Sequence, residues 1–387
     1  MHTIKRVFIP PASSYFLFGP RGTGKSTFLQ QHYKTARWVN LLDAETFRSF
    51  SARPERLLEL VRENRGNEIF IIDEIQEVPE LLKAIHLLME ENKKTTFVLT
   101  GSSSRKLKRA GVDLLAGRAL VRSMHPFMAC ELGDTFSLNT ALETGLIPLI
   151  AASEIPGEKL KSYVAVYIQE EVKHEGLVRN IGDFARFLEI IAFSTGAELN
   201  SSNIARECGI GRKAVESYIS ILEDLLLAFT VPAFVKKAER SALSHPKFYF
   251  SDTGIFRSLR LAGPLDRPEE IGGAALESLV AQHLKAYLAY RNSDSRLYFR
   301  RTYADAEVDF IIYGKDLPFT AIEVKNTSRI RPEDLKGLRS FAKMYPSALQ
   351  LILYRGKERL LIEKTHCIPV DTFLRNLHPS KSIDQMI

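Results

Sequence analysis

Eight consecutive residues near the start of the chain carry its most specific chemical signal. Residues 19–26 read Gly-Pro-Arg-Gly-Thr-Gly-Lys-Ser, a complete G-x-x-x-x-G-K-[ST] loop of the kind that binds phosphate. The loop follows the apolar run 15–18 and precedes a stretch, 27–33, that is compatible with a helix. The motif therefore stands between a predicted strand and a predicted helix, which is the setting that it requires.

Each residue type in this loop suits a phosphate ligand. Its glycines let the backbone aim several N–H groups at one anion, and the N-terminus of the following helix adds partial positive charge. We expect Lys25 to reach the β- and γ-phosphates and the Ser26 hydroxyl to hold Mg²⁺. The sequence thus predicts binding of a nucleoside triphosphate. The predicted nucleotide-binding residues of the loop and its flank are Gly19, Pro20, Arg21, Gly22, Thr23, Gly24, Lys25, Ser26 and Thr27.

A second nucleotide element follows at residues 69–74, Ile-Phe-Ile-Ile-Asp-Glu. A continuous apolar run is typical of a buried parallel strand, and ligands of such sheets lie at the carboxyl ends of the strands. We expect Asp73 to hold Mg²⁺ through water and Glu74 to polarise the attacking water, which makes this a hydrolase signature. The alternative is an Asp-Glu pair that only ends a strand before a helix.

Further along, the strand 96–100 leads into Gly101 and Ser102, and residues 115–118 read Leu-Ala-Gly-Arg. With the two nucleotide motifs, these pieces resemble the AAA+ ATPases, particularly prokaryotic members with an uncharacterised C-terminal domain. The resemblance implies a doubly wound parallel sheet and a sensor residue at Ser102, with Thr100 as the second candidate. It also implies that Arg118 is an arginine finger that reaches a neighbouring subunit, and hence a homo-oligomer. The alternative for Arg118 is a surface arginine that precedes the next strand.

The choice of nucleotide rests on a missing motif. No Asn-Lys-x-Asp sequence, the element that reads guanine, occurs in the chain. ATP, bound with Mg²⁺, is therefore predicted over GTP.

The middle of the chain gives a weaker signal. Residues 126–182 predict a helical linker, with helical periodicity from 160 to 178, and residues 183–262 predict a winged-helix-like domain. In that domain a short helix capped by Asn200, a turn at 209–211 and a longer helix from Arg212 through Leu227 fit a helix-turn-helix. The runs 229–231 and 248–250 are candidate wing strands. Residues of the second helix that would face DNA are Arg212, Lys213 and Ser217, and a further small basic cluster is Lys236, Lys237 and Arg240.

The alternative for this module is equally open. The same helices can serve to dock a protein or cover the ATPase core, and only two basic residues begin the second helix. The small basic cluster is also typical of an ordinary solvated surface.

The last part of the chain, residues 263–387, shows a helix–strand–strand–strand–helix–strand pattern. Its helix bears Glu277, one strand bears Asp309, and the next reads Glu323-Val-Lys325. Alternation along a strand places Glu323 and Lys325 on one face. Two carboxylates that hold a hard divalent cation, with a lysine that stabilises charge, are what metal-assisted phosphodiester hydrolysis needs.

This Glu…Asp…Glu-x-Lys order resembles the PD-(D/E)XK nuclease superfamily. The resemblance implies an α/β restriction-endonuclease-like domain in which Glu277, Asp309 and Glu323 hold Mg²⁺ or Mn²⁺ and Lys325 assists. The alternative is a degenerate scaffold whose carboxylates only satisfy neighbouring basic groups. Arginines that flank these strands and are candidates to follow a phosphate backbone are Arg300, Arg301, Arg329 and Arg331.

The length of the chain is typical of a protein with several domains. The chain has 387 residues and a formal net charge of +7, which weakly favours a polyanionic partner such as DNA. No apolar run approaches the ~18 residues that span a bilayer, and the first residues lack the apolar core of a secretion signal. The three cysteines show no C-x-x-C pair. We therefore expect a cytoplasmic protein without a membrane partner, a zinc site or a disulfide scaffold, and with domains 1–125, 126–182, 183–262 and 263–387.

Two functions follow from these motifs. The first is an ATPase whose nucleotide state controls a DNA-binding, nuclease-like C-terminal module. The second is an ATP-dependent signalling or scaffold switch whose C-terminal domain binds protein partners without cutting DNA.

Overall fold

A computed structural model describes residues 4–64, 68–102, 115–168, 172, 180–235, 245–301 and 307–387. The chain divides into two compact units. The first unit comprises residues 8–125 together with 224–226. The second unit comprises residues 1–7, 126–223 and 227–387.

The first unit is built on a five-stranded sheet whose strands are all parallel. Its strands are β1 (Tyr15–Phe18), β2 (Arg37–Asn40), β3 (Ile69–Asp73), β4 (Thr96–Gly101) and β5 (Leu120–Ser123). The order across the sheet is β2-β3-β4-β1-β5. Because β1, β3 and β4 are neighbours and parallel, the residues that follow them emerge at one edge of the sheet.

Helices complete this unit. They are α1 (Lys25–His32), α2 (Ala44–Ala52), α3 (Arg56–Glu63) and α4 (Leu81–Glu91), with 3₁₀ turns at Ile75–Glu77 and Leu115–Gly117. Large side chains of the central strands are fully buried, among them Phe16, Phe70 and Phe97. They pack in one core with residues from α3 and α4 such as Leu57 and Ile85. The predicted parallel α/β sheet is confirmed.

Strand β2 is the one described strand of this sheet that the sequence did not predict. It reads Arg-Trp-Val-Asn, lies at the edge of the sheet, and buries only Val39. An edge strand that is mostly exposed lacks the apolar run that marks the central strands. Its sequence therefore carries no signal of a buried strand.

The second unit begins with short helices, followed by three longer ones. The short helices are α5 (Ala129–Leu132), α6 (Leu138–Thr144), α7 (Pro148–Ala151) and α8 (Pro156–Ser162), followed by a π-helical turn at Tyr163–Ile168. The longer ones are α9 (Ile181–Ala192), α10 (Ser201–Cys208) and α11 (Arg212–Asp224). The remainder of the predicted 160–178 helix lies largely outside the described residues.

Helices α10 and α11 form as the local sequence predicts. The side chain of Asn200 accepts a hydrogen bond from the Asn203 backbone N–H (3.0 Å) and so caps α10. Gly209 ends α10 in the left-handed conformation, at φ 69°. Helix α11 ends at Asp224 rather than at the predicted Leu227, because Leu226 has a positive φ of 57° and cannot continue a helix.

Two short antiparallel strands, β6 (Ala228–Val231) and β7 (Lys247–Phe250), pair where wing strands were expected. The winged-helix class itself remains a prediction. The basic cluster Lys236, Lys237 and Arg240 lies outside the described residues.

A helix, α12 (Thr253–Leu259), leads to α13 (Pro268–Arg291), which spans 24 residues. A six-stranded mixed sheet follows, in the order β12-β13-β11-β10-β9-β8. Its strands are β8 (Arg296–Arg301), β9 (Glu307–Tyr313), β10 (Thr320–Lys325), β11 (Leu349–Tyr354), β12 (Leu360–Ile362) and β13 (Thr365–Pro369). Helices α14 (Lys336–Met344) and α15 (Val370–Asn376) complete the unit, together with 3₁₀ turns at Gly133–Thr135, Pro332–Leu335 and Ile383–Met386.

The order α13-β8-β9-β10-α14-β11 is the predicted helix–strand–strand–strand–helix–strand order. Strands β8, β9 and β10 pair antiparallel, whereas β10 and β11 pair in parallel. In the β9–β10 register Ile322 stands opposite Phe310, so Asp309 and Glu323 lie side by side at the next position. The restriction-endonuclease-like class remains a prediction.

None of the helices that the structure describes combines the length and the apolar character needed to cross a membrane.

Candidate functional site

The phosphate loop connects β1 to α1, and its backbone conformation depends on glycine. Gly22 and Gly24 have φ values of 82° and 84°, in the left-handed region that side chains disfavour. A Cβ atom at Gly19 would lie 2.5 Å from the carbonyl oxygen of Met124, so no other residue fits there. Three of the loop positions are therefore fixed as glycine by conformation or by space.

Lys25 is the first residue of α1, and its side chain is buried against the loop. Its Nζ donates hydrogen bonds to the carbonyl oxygens of Gly19 (2.6 Å) and Pro20 (3.3 Å). Thr23, also buried, closes the loop by donating its hydroxyl proton to Pro20 O (2.7 Å). The ammonium group thus lies inside the loop whose N–H groups would surround phosphate. Arg21 and Thr27 are exposed on its outer side.

The two nucleotide motifs meet through Ser26 and Asp73. The Ser26 hydroxyl donates to the Asp73 carboxylate, with Oγ 3.0 Å from Oδ2 and 3.3 Å from Oδ1. Asp73 ends β3 and is buried. A hydroxyl and a carboxylate at this separation are the oxygen ligands that Mg²⁺ takes alongside phosphate and water.

Glu74 follows Asp73 in an unusual backbone conformation, with a φ of 60°. Non-glycine residues rarely adopt positive φ, so the surrounding contacts must hold Glu74 in this conformation. The Glu74 backbone N–H donates to the Thr100 hydroxyl (3.0 Å), and the Gln76 side-chain amide donates to the Glu74 carboxylate. Glu74 is thus held at the carboxyl edge of the sheet from two directions.

Of the two sensor candidates, Thr100 is the one in contact with the motifs. Its hydroxyl donates to the Asp73 carboxylate and accepts from the Glu74 N–H. Ser102 is also buried, but its hydroxyl has no hydrogen-bond partner within the described residues. Sequence reasoning ranked Thr100 second and missed Gln76 entirely, because a glutamine in a 3₁₀ turn carries no pattern of its own.

Arg118 lies at the end of the sheet where the strands begin, opposite the end that carries the phosphate loop. Strand β5 runs parallel to β1 with Leu120 beside Tyr15, so Arg118 precedes both strands, whereas the phosphate loop follows β1. The guanidinium is partly exposed and pairs with Glu90 of α4 at 2.6 Å. Arg118 cannot reach the phosphate loop of its own chain from that edge.

A second group of charged side chains lies in the second unit, on β9 and β10. Lys325 Nζ donates to Glu323 Oε1 (2.7 Å), as the alternation along β10 predicts. Asp309 Oδ2 accepts from the Val324 backbone N–H (2.8 Å), which places it beside Glu323. Glu323 and Asp309 are both buried. The residues Asp309, Glu323 and Lys325 therefore converge.

Glu277 of α13 joins this group through a residue that sequence reasoning did not select. Lys247 of β7 places its Nζ 3.0 Å from Glu277 Oε1, 2.6 Å from Glu307 Oε1 and 3.6 Å from Asp309 Oδ1. The Tyr249 hydroxyl donates to Glu277 Oε1 (2.6 Å). The lysine gave no signal in the sequence because it stands on a short strand far from the Glu-x-Lys motif.

Burial and charge shift the titration of these groups. Burial, followed by repulsion from Asp309, raises the pKa of Glu277 to about 7, although Lys247 acts in the other direction. Burial alone would lower the pKa of Lys247, but Glu277, Asp309 and Glu307 more than offset it, so the net shift is upward. Lys247 is therefore a cation at neutral pH.

These contacts bear directly on the predicted metal site. The space between Glu277, Glu307 and Asp309 holds the ammonium of Lys247. Among the residues described, no three His, Cys, Asp or Glu side chains are arranged to hold a metal ion. As arranged, the side chains do not fit Mg²⁺ or Mn²⁺ at this position.

The arginines expected to follow a phosphate backbone are partly engaged elsewhere. Arg300 lies over the rings of Phe341 and Tyr345, with its Cζ 5.6 and 5.7 Å from their centroids. Arg301 and Arg331 lie 3.9 and 3.6 Å from the carboxylates of Glu198 and Glu333, while Arg329 is exposed.

In the helix-turn-helix candidate the three selected residues are exposed, as expected of a binding surface. Arg212, however, pairs with Glu216 at 2.8 Å within α11, which reduces its positive field. Lys213 and Ser217 are exposed beside it.

Comparison with family models divides the chain into three segments. Residues 12–133 match an AAA domain. Residues 135–266 and 272–373 match two domains of unknown function, DUF8612 and DUF4143. No curated protein matches the chain. The first segment is thus similar to an AAA domain, in agreement with the nucleotide-binding site that its phosphate loop predicts.

Among solved structures, the chain is similar to the replication initiator DnaA bound to AMPPCP and single-stranded DNA, at 15% identity and a TM-score of 0.27, covering 55% of this chain and 82% of that one. AMPPCP-bound DnaA from Aquifex aeolicus gives 17% identity and a TM-score of 0.26, covering 55% and 81%. A signal transduction ATPase with numerous domains and a tetratricopeptide repeat sensor, from Pyrococcus horikoshii, gives 15% identity and a TM-score of 0.23, covering 72% and 45%. Likeness at this level assigns no activity to the chain.

Proposed function

We propose that the AAA domain of this chain binds ATP with Mg²⁺ and hydrolyses it. The observation that carries the proposal is the contact between Ser26 and Asp73, with Oγ 3.0 Å from Oδ2. This contact joins the residue after the phosphate-loop lysine to the end of β3, directly before Glu74. In this proposal one site combines a phosphate cradle, the hydroxyl of Ser26 and the carboxylate of Asp73 for Mg²⁺, which Asp73 would hold through water, and Glu74 as the base.

In the proposed complex, Ser26 and Asp73 would hold Mg²⁺, which would supply positive charge beside the phosphate groups. Lys25 exchanges its bonds to the loop carbonyls for bonds to phosphate. This exchange replaces neutral acceptors by charged ones, which gives stronger hydrogen bonds. The buried ammonium is thus kept in place before the nucleotide arrives.

Glu74 and Thr100 act on the water. The Glu74 carboxylate accepts a proton from the attacking water, and the Thr100 hydroxyl fixes the backbone from which Glu74 projects. Phosphoryl transfer depends mainly on positioning and on electrostatic stabilisation, so a rigid connection of this kind contributes to rate.

Two variants test the proposal. Lys25→Ala should abolish nucleotide binding in isothermal titration, whereas Glu74→Gln should bind ATP and release phosphate very slowly. Lys34→Ala, an exposed lysine just past α1, is the control and should behave as wild type. Normal turnover in Glu74→Gln would contradict the catalytic assignment and leave the binding site intact.

For the second unit, we propose that its role is to respond to the nucleotide state, either by acting on DNA or by binding a protein partner. Convergence of Asp309, Glu323 and Lys325 supports the DNA-acting, nuclease-like function. The ammonium of Lys247 between the carboxylates of Glu277 and Glu307 favours the second function, a switch that binds partners without cutting.

One assay separates these two functions. The purified chain is incubated with ATP, Mg²⁺ or Mn²⁺ and DNA, and both phosphate release and strand cutting are followed. DNA affinity that falls steeply with salt, because phosphate contacts release counterions, would support the DNA-acting function. Phosphate release without DNA binding at low salt would support the partner-binding switch.

A further inference from the structure

We propose that Lys247 is a tethered cation that takes the place of a divalent metal in the acidic cluster of the second unit and keeps metal ions out of it. The acidic cluster is defined as Glu277, Glu307, Asp309 and Glu323. This inference does not depend on ATP hydrolysis, because every residue involved lies in the second unit.

The ammonium of Lys247 is surrounded by carboxylates in the way that a bound cation would be. One nitrogen of Lys247 lies within 3.6 Å of carboxylate oxygens from three different residues, one on α13 and two on β9. An ammonium group has three protons to donate, so it can serve several carboxylates at once, as a metal ion would. Its bonds to Glu307 and Glu277, at 2.6 and 3.0 Å, are those of a charge-assisted pair.

The acidic cluster holds more carboxyl groups than cations. Among the residues that the structure describes, its four carboxyl groups pair with two ammonium groups, those of Lys247 and Lys325. Glu323 is 5% exposed, and within the described residues its Oε2 has no hydrogen-bond partner. Without Lys247 the cluster would hold one lysine and several uncompensated carboxylates, which is the composition of a site for a hard divalent cation.

Lys247 is buried and is supplied by a strand that carries none of the carboxylates. The residue stands on β7, where it pairs with Val231 of β6, and its side chain is 4% exposed. Its ammonium also lies 5.6 Å from the centroid of the Phe299 ring. Because Lys247 comes from a strand outside the acidic cluster, its ammonium joins β7 to α13 and β9.

The test compares Mn²⁺ binding by full-length proteins without nucleotide, measured by electron paramagnetic resonance. All proteins carry Asp73→Asn, so that the nucleotide site does not contribute. With Lys247 present, we expect no Mn²⁺ to bind at the cluster at millimolar concentration. Lys247→Met should gain one tightly held Mn²⁺ per chain, and adding Asp309→Asn should remove it. Lys247→Arg keeps a cation and should exclude Mn²⁺ as wild type does.

Stability supplies a second readout. Removing Lys247 leaves buried carboxylates uncompensated, so Lys247→Met should unfold at lower urea, and Mn²⁺ should restore much of the loss. If Lys247→Met does not fold in buffer, it should fold when Mn²⁺ is supplied. Two results would overturn the proposal. One is Asp309-dependent Mn²⁺ binding by the protein that retains Lys247. The other is a Lys247→Met protein that Mn²⁺ neither binds nor stabilises.

Discussion

The hydroxyl of Thr100 donates a hydrogen bond to the carboxylate of Asp73, from one parallel strand to the next. The same hydroxyl accepts the backbone N–H of Glu74, 3.0 Å away. Thr100 therefore fixes both the proposed metal ligand and the proposed base. The hydroxyl of Ser102, two residues further, hydrogen-bonds to neither within the described residues.

Replacing Thr100 should damage catalysis more than replacing Ser102. In Thr100→Ala a buried carboxylate and a backbone N–H both lose a partner, so kcat for ATP hydrolysis should fall roughly 100-fold, with ATP affinity changed much less. Ser102→Ala removes a hydroxyl without a described partner, and we expect a change within about threefold. Phosphate release and nucleotide titration measure the two effects. A larger loss in Ser102→Ala would return the sensor role to Ser102.

Gln76 should act as a positioning residue for Glu74. Its amide donates to the Glu74 carboxylate, and without that bond the carboxylate would occupy several rotamers. We expect Gln76→Ala to lower kcat roughly 10-fold, to leave ATP affinity unchanged, and to alter the pH dependence of kcat on its acid side. Gln30→Ala, on the exposed face of α1, is the control. A purely structural role for Gln76 would lower stability and leave the pH profile unmoved.

Arg118 should act on a neighbouring subunit or not at all. If it is a finger in trans, Arg118→Ala should bind ATP normally and hydrolyse it roughly 1,000-fold more slowly, and wild-type turnover per subunit should rise with protein concentration. Glu90→Ala frees Arg118 from its partner and should keep or raise the rate. The control is Arg62→Ala, which breaks the similar exposed pair between Arg62 of α3 and Glu91, the neighbour of Glu90 on α4.

Mixing inactive variants gives an independent check on Arg118. Arg118→Ala and Glu74→Gln subunits, combined, would leave some interfaces with both an intact base and an intact finger, so partial activity should return. Turnover that stays constant at dilutions where the wild-type protein is monomeric would identify Arg118 as a surface residue.

His283 should make the second unit sensitive to mild acid. Its Nε2 accepts the Ala129 backbone N–H (3.0 Å), its Nδ1 lies 2.7 Å from Leu279 O, and burial lowers its pKa to about 4. Between pH 6.5 and 4 the unfolded chain gains a proton that the folded chain does not. The free energy of unfolding therefore decreases as the pH is lowered through this range, by up to about 1.4 kcal/mol per pH unit.

Urea unfolding of wild type and His283→Gln at several pH values measures this effect. We expect the difference in unfolding free energy between the two proteins to be constant above pH 7. Below about pH 6.5 the wild type should lose unfolding free energy relative to His283→Gln. A difference that does not vary with pH would show that the imidazole carries the same charge in both states.

The buried pair Arg6–Glu131 should matter more than any surface pair. Arg6 Nε lies 2.8 Å from Glu131 Oε1, with both side chains almost fully enclosed, and Glu131 also accepts the N–H groups of Val7 and Met128. Arg6→Met leaves a buried carboxylate without its cation and should cost about 3–5 kcal/mol. The exposed pair Arg339–Glu363 is the control, and Arg339→Met should cost less than about 1 kcal/mol. Urea unfolding of both variants tests the contrast.

The sequence alone determined the phosphate loop and the central strands of the first unit. A phosphate loop needs glycine at positions with positive φ, a lysine and a hydroxyl in fixed succession, so the motif specifies its own local geometry. Central parallel strands are buried on both faces, so they appear as apolar runs, and Asp73 and Glu74 could be placed at a strand end from the sequence. The edge strand β2, exposed on most of its length, gave no such signal.

Tertiary structure decided what lies opposite these residues. The choice of Thr100 over Ser102 as the partner of Asp73 depends on the register between β3 and β4, which local pattern does not encode. The same holds for the acidic cluster. Alternation places Glu323 beside Lys325, but only the approach of β7 brings Lys247 among the carboxylates of Glu277, Glu307 and Asp309. A contact between residues 30 or more positions apart has no sequence period, so only the folded chain reveals it.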